Sequence, residues 1–172
     1  MNITKERGTI WLCITAMFMA FNIVLSSFGM PVPGGRLYLN DIVICTAALI
    51  LDPMAAFIVG GVGAFIGDFL FYPAPMFVSL VTHGLQAIVI SYVAHYTFKN
   101  SPIFASVLGV VFGAIIMVVG YTLGRAFIYG TPEYAILKIP YQILQATIGA
   151  GMSIFLYWKC NLRQHFMQIL KK

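Results

Sequence analysis

Six apolar stretches, separated by short breaks rich in proline, glycine and charge, fill this chain almost from end to end. Runs that approach about 20 apolar residues have one general solution for their backbone, the helix, which pairs each N–H and C=O internally while lipid replaces water. The breaks fall at residues 29–36, 51–53, 72–75, 99–102 and 129–133, with prolines where helices stop or restart. They leave spans of about 8–28, 38–51, 54–71, 76–97, 102–128 and 134–158. A content of 60% hydrophobic and 9% charged residues, with a mean hydropathy of +0.92, lies far from the roughly 25% charged of a soluble domain. The expected fold is therefore an all-α integral membrane protein, six transmembrane helices in one compact bundle over residues 1–172, with no separate soluble domain. The second span, closed by Asp52-Pro53, is short and must cross with help from its neighbours or with little tilt. The first, after Lys5 and Arg7, is too long for a signal peptide and lacks a small-residue cleavage site, so it reads as a retained helix. Cys13, Cys45 and Cys160 are odd in number and far apart, which fits packing rather than disulfides or a thiolate metal site.

An even number of spans puts both termini on one side. Lys5, Arg7, Lys99, Lys159, Arg163, Lys171 and Lys172 lie there, against Arg36 in the opposite loops and Arg125 and Lys138 just inside helix ends. The positive-inside rule then places the termini in the cytoplasm of a cell membrane. Anionic lipid at that rim accounts for the net charge of +5 without a nucleic-acid partner.

Depth follows from about 1.5 Å of rise per helical residue. Asn22, Asn40, Asp41, Asp68, His83, Gln86, Arg125, Gln142 and Gln145 all fall in the outer halves of their spans, whereas residues 88–90, 104–116 and 148–156 carry almost no strong polar group. The pattern describes a pocket open to one side and no hydrophilic path across. His83 and Gln86 are three apart, as are Gln142 and Gln145, so each pair shares a helix face; together they offer amide donors, amide acceptors and an imidazole to a neutral ring bearing heteroatoms. The bland alternative is interhelical adhesion. Tyr72, Phe77, Tyr121, Tyr129, Tyr134 and Tyr141 lie at similar depth; Tyr121 and Tyr141 are the better stacking candidates, Tyr129 and Tyr134 the better interfacial ones. Arg125 is expected to pair with Asp68 or Asp41 first and to meet ligand second. Few cations face the pocket on this reading, which disfavours a strongly anionic ligand.

No ligand spacing around Asp41, Asp68 and His83 supports a metal, and no nucleophile motif supports an enzyme. A self-sufficient secondary carrier stays open as an alternative, although internal repeats are not evident. Gly120 and Gly124 read as internal packing positions. Ala16 and Ala20, on a span rich in Met and Phe, read as either an internal or an intermolecular face. The loop holding Pro31, Gly34, Gly35 and Arg36 is the longest outer connection and is expected to act as a lid.

Taken together, the six-span pattern over the whole chain, Ala16-x-x-x-Ala20, and the stretches Gly34-Gly35-Arg36-Leu37-Tyr38-Leu39-Asn40-Asp41, Gly67-Asp68-Phe69-Leu70-Phe71-Tyr72-Pro73-Ala74-Pro75 and His83-Gly84-Leu85-Gln86 resemble the substrate-binding S component of an energy-coupling-factor (ECF) vitamin transporter. The similarity is to the branch with hydroxymethylpyrimidine, pyridoxine and riboflavin binders. It implies a vitamin held by spans four to six and the first loop, docking to a transmembrane coupling subunit through Ala16 and Ala20, and ATP consumed by two cytoplasmic ATPase subunits, with no cofactor in this chain. On depth and face, Asn40, Asp68, His83, Gln86, Tyr121, Tyr141, Gln142 and Gln145 are the candidate substrate-binding residues. Pyridoxine or hydroxymethylpyrimidine is the expected ligand, with riboflavin as the alternative.

Overall fold

Three of the long helices begin on a proline, whose fixed φ suits the first turn and whose missing N–H costs nothing there. Asp52 caps one of them, accepting from the Met54 N–H at 3.3 Å, and the Thr131 hydroxyl caps another, accepting from the Tyr134 N–H. The structure, a computed structural model, describes residues 8–33, 35–98 and 100–169. The flanking charges Lys5, Arg7, Lys99, Lys171 and Lys172, and Gly34 of the expected lid, lie outside the described residues.

The elements are α1 (Thr9–Ser26), β1 (Met30–Val32), β2 (Gly35–Leu37), α2 (Asn40–Ile50), α3 (Pro53–Phe71), α4 (Met76–Thr97), α5 (Pro102–Tyr129), α6 (Pro132–Lys159) and α7 (Leu162–Ile169). Five of these are long and apolar enough to cross a membrane, and α2 is a shorter apolar helix of 11 residues, or about 17 Å. Helices thus occupy all six expected stretches, with boundaries displaced by a few residues, and the second is the one too short to be counted with the five. Two elements were not anticipated. The first loop forms an antiparallel hairpin pairing Met30 with Leu37 and Val32 with Gly35, and a short amphipathic helix, α7, follows the sixth span.

Alpha-helix α3 is wedged between α1 and α4. A Cβ built on Gly60 would sit 2.8 Å from both the His83 carbonyl and the Ala87 Cβ, and one on Gly63 would sit 2.8 Å from the Asn22 amide. Only hydrogen permits this closeness. The helix carries a π-helical turn at Ile58–Val62, where Asn22 of α1 donates to the Val59 carbonyl at 2.6 Å. Gly120 and Gly124 pack against Thr82 and Val78 of α4, as expected for internal contacts.

The apolar core fills the half of the bundle nearer the termini: Ile44, Ala47, Ala48 and Leu49 of α2, Ala55, Ala56 and Val59 of α3, Ala87 and Ile90 of α4, and Val110 of α5. At that end Trp11 donates to Asp52 at 2.6 Å, Phe166 of α7 packs on Phe18 at 5.5 Å, and Arg163 lies 4.8 Å over the Trp158 ring. Ala16 and Ala20 are exposed on α1 beside Leu12, Met17 and Phe21.

Because Gly60 meets a backbone carbonyl that cannot yield, Gly60→Val is expected to destabilise the bundle by about 1–3 kcal/mol. A thermal unfolding midpoint in detergent unchanged from that of the parent protein would contradict the wedge.

Candidate functional site

Three helices each turn a stripe of residues spaced by one or two turns toward a common space. Ser79, His83 and Gln86 do so on α4, Met117, Tyr121 and Arg125 on α5, and Lys138, Gln142 and Gln145 on α6. A cavity of about 480 Å3, mouth included, opens where the stripes converge, at the hairpin end of the bundle. Its lining includes Arg36, Tyr38, Asn40, Asp68, Tyr72, His83, Met117, Tyr121, Arg125, Tyr129, Lys138, Gln142 and Gln145.

The floor is a polar network anchored on Asp41, which is 1% exposed. Gln86 Nε2 donates to Asp41 Oδ1 at 3.1 Å and Gln145 Nε2 donates to Oδ2 at 2.5 Å. With the Gln86 amide nitrogen so committed, its Oε1 accepts from His83 Nδ1 at 2.6 Å, and the same Nδ1 lies 3.8 Å from Asp41 Oδ1, so that imidazole, amide and carboxylate form one cluster. Gln145 Oε1 in turn accepts the backbone N–H of Tyr38 at 3.0 Å, so a single side chain joins the floor to the base of the hairpin. Beneath the network lies the apolar core, in which the buried hydroxyls are isolated: Thr46 Oγ1 has no hydrogen-bond partner and Ser91 Oγ donates to the Leu51 carbonyl at 2.6 Å, so that among the described residues no chain of polar groups continues from the floor.

The walls mix rings and hydrogen-bonding groups. Tyr121 meets His83 edge-on with centroids 5.1 Å apart, and its hydroxyl lies 2.5 Å from Ser79 Oγ, which also donates to Asp68. Thr122 Oγ1 approaches Gln142 Oε1 at 3.5 Å. Asn40 Oδ1, buried, has no hydrogen-bond partner among the described residues.

The roof is the hairpin. Lys138 Nζ donates to the Arg36 carbonyl, and the Arg36 guanidinium lies 5.4 Å over the Tyr72 ring. Gly35 has φ +148°, a conformation that side chains disfavour, and a Cβ there would come within 2.8 Å of Arg125 Nη1. Arg125 Nη2 donates to the Tyr129 hydroxyl at 3.1 Å.

Of the residues singled out from sequence, the structure brings Asn40, Asp68, His83, Tyr121, Gln142, Gln145 and Arg36 to the cavity. Gln86 and Tyr141 are not on its lining. Gln86 sits nearly a turn deeper than His83 and serves the floor, while Tyr141 precedes Gln142 and is rotated by about 100° off the shared face. Pro31 is exposed in β1, and Gly35 lines a second, outer cavity that shares Tyr72, Arg125 and Tyr129 with the first. Phe77 and Tyr134 point outward, 64% and 58% exposed, whereas Tyr129 lines the site despite its place near a helix end. The expectation of few cations is overturned: Arg36, Arg125 and Lys138 all line the cavity, against the single carboxylate of Asp68. Sequence reasoning missed Lys138, although its position four before Gln142 and seven before Gln145 was the available signal. It also left Asp41 out of the site, since the first residues of a helix do not reveal which neighbours they meet. Among the described residues no group of three or more His, Cys, Asp or Glu could hold a metal.

Comparison with known proteins fits this architecture. A solved structure of the S component of a bacterial ECF transporter superposes with a TM-score of 0.66, covering 94% of this chain and 97% of that one at 21% identity, which speaks to the fold. A Pyrococcus woesei protein described as an uncharacterized protein in a gap 3′ region is 32% identical over 132 residues, spanning 73% of this chain and 86% of its own length. A family model described as ECF-type riboflavin transporter, S component, matches residues 9–162. A membrane bundle with a one-sided cavity and nearly its whole length matched by that model belongs to the ECF-type riboflavin transporter S component family, and the chain is a substrate-binding subunit of an ECF transporter.

Proposed function

We propose that this S component captures a small water-soluble heteroaromatic vitamin or precursor from outside the cell, with pyridoxine or hydroxymethylpyrimidine as the first candidates. The observation that carries the reading is the lining itself: the rings of Tyr121 and His83 and the hydrogen-bonding side chains of Asn40, Asp68 and Gln142 converge on one narrow cavity under the hairpin, and groups set so close together suit one ring better than three fused rings with a polyol tail. Tyr121 and His83 offer ring faces and edges, Asn40 an unused acceptor, Gln142 and Asp68 hydrogen-bonding groups, and Gln145 a fixed wall. Riboflavin is the second reading, favoured by the description of the family to which the chain belongs.

In this reading the termini face the cytoplasm, the hairpin is a lid closing over bound ligand, and Lys138 and Gln145 hold it shut through the Arg36 carbonyl and the Tyr38 N–H. The exposed Ala16 and Ala20 permit close approach of a helix from the transmembrane coupling subunit, and two cytoplasmic ATPases supply ATP-derived energy. A cup whose polar floor rests on an apolar core fits delivery by reorientation of the whole subunit, without a pore through it, and it disfavours a self-sufficient carrier.

Titration of the purified protein with pyridoxine, hydroxymethylpyrimidine and riboflavin tests the ligand class. One of the single rings is expected to bind most tightly, and Gln142→Ala or His83→Ala is expected to weaken it by about tenfold each without unfolding. Binding of none of the three would refute the reading, and riboflavin alone would select the second. Docking is tested separately: Ala16→Trp should abolish uptake in cells carrying the coupling subunit and ATPases while leaving ligand affinity unchanged, and normal uptake would remove Ala16 from the docking face.

A further inference from the structure

We propose that Lys138, flanked by Arg36 and Arg125, forms an anion subsite inside the cavity, so that the ligand carries an anionic oxygen group, a carboxylate or a phosphate ester, on its ring. The inference rests on the proposed ring-binding function and adds a charge to the ligand.

Lys138 is 2% exposed, on the α6 face that also presents Gln142 and Gln145 to the cavity. An ammonium has three donors, and the Arg36 carbonyl accepts one of them. Among the described residues no carboxylate lies within ion-pair distance of Lys138. The nearby acids are committed elsewhere: Asp41 to Gln86 and Gln145 in the floor, Asp68 to Ser79 at the far wall. A buried ammonium facing a neutral carbonyl is an unfinished site, because the cost of taking the charge out of water is recovered only when an opposite charge completes it. A methionine or leucine would fill the same volume without that cost.

The two guanidiniums deepen the positive field. Arg36 lies over Tyr72 and Arg125 over Tyr129, each 5.4 Å from the ring centroid, and both line the cavity with Lys138. Because Arg36 belongs to the hairpin, an anion bound there also ties down the lid through the residue whose carbonyl Lys138 already holds. The amides of Asn40 and Gln142 and the imidazole of His83 remain for the ring's own nitrogens and substituents.

The test is titration calorimetry of the full chain in detergent with two probes of one shape: hydroxymethylpyrimidine, and the 4-amino-2-methylpyrimidine-5-carboxylate that replaces its hydroxymethyl group. The carboxylate is expected to bind about tenfold or more tightly than the neutral ring. Lys138→Met should erase that preference, and Lys138→Arg should keep it. A carboxylate that binds no better than the neutral probe, or a preference that survives Lys138→Met, overturns the subsite and leaves the ring-binding function standing. If neither ring binds, inorganic phosphate decides: a rise in unfolding temperature in the parent and Lys138→Arg but not in Lys138→Met keeps the subsite while the ring reading falls, and no rise, or one shared by Lys138→Met, overturns it.

Discussion

Asp41 holds the site together. A carboxylate almost wholly removed from solvent inside an apolar bundle is tolerable only if its oxygens are satisfied, and two glutamines from different helices do this. The requirement fixes the rotation of α4 and α6 about their own axes, because Gln86 and Gln145 must both point at α2. That rotation carries His83, Ser79, Gln142 and Lys138 to the same side, since they lie one or two turns away on the same faces. Gln145 extends the chain of hydrogen bonds to the Tyr38 N–H, so the hairpin is positioned by the same carboxylate that closes the floor.

Below that network the bundle changes character. Small and branched apolar residues of α2, α3 and α4 dominate the packing there, with only isolated hydroxyls such as Thr46 and Ser91 among the described residues, and the glycines of α3 let the helices approach closely. The consequence is a division within one domain: a hydrogen-bonding cup at one end, a dry plug at the other, and an α1 face of small and flexible apolar side chains left uncovered along the side. That division suits a substrate-binding subunit of an ECF transporter, which works with an ECF module.

Much of this was legible in the sequence because lipid forces the pattern. Span number followed from proline and glycine breaks, and the one-sided placement of His83, Gln86, Gln142 and Gln145 followed from depth counting. The errors share a physical cause. Depth and face locate a residue on its own helix but not the partner it meets, so they point Gln86 at ligand although it serves Asp41, and they place Tyr141 beside a face that it leaves by one residue. Lys138 was passed over because a lysine near a helix end normally snorkels toward water; here the hairpin folds over it and supplies the Arg36 carbonyl instead. The hairpin is hidden in the sequence because Gly29-Met30-Pro31-Val32-Pro33 shows no strand alternation, while Lys138 of α6 holds the second strand through the Arg36 carbonyl.

The most direct measurement is solute flux into liposomes holding this polypeptide and no other. A closed floor predicts that labelled ligand binds at the membrane in an amount set by the number of protein molecules and then stops. Continued accumulation in the lumen down a concentration gradient, beyond that stoichiometric amount, would contradict the account.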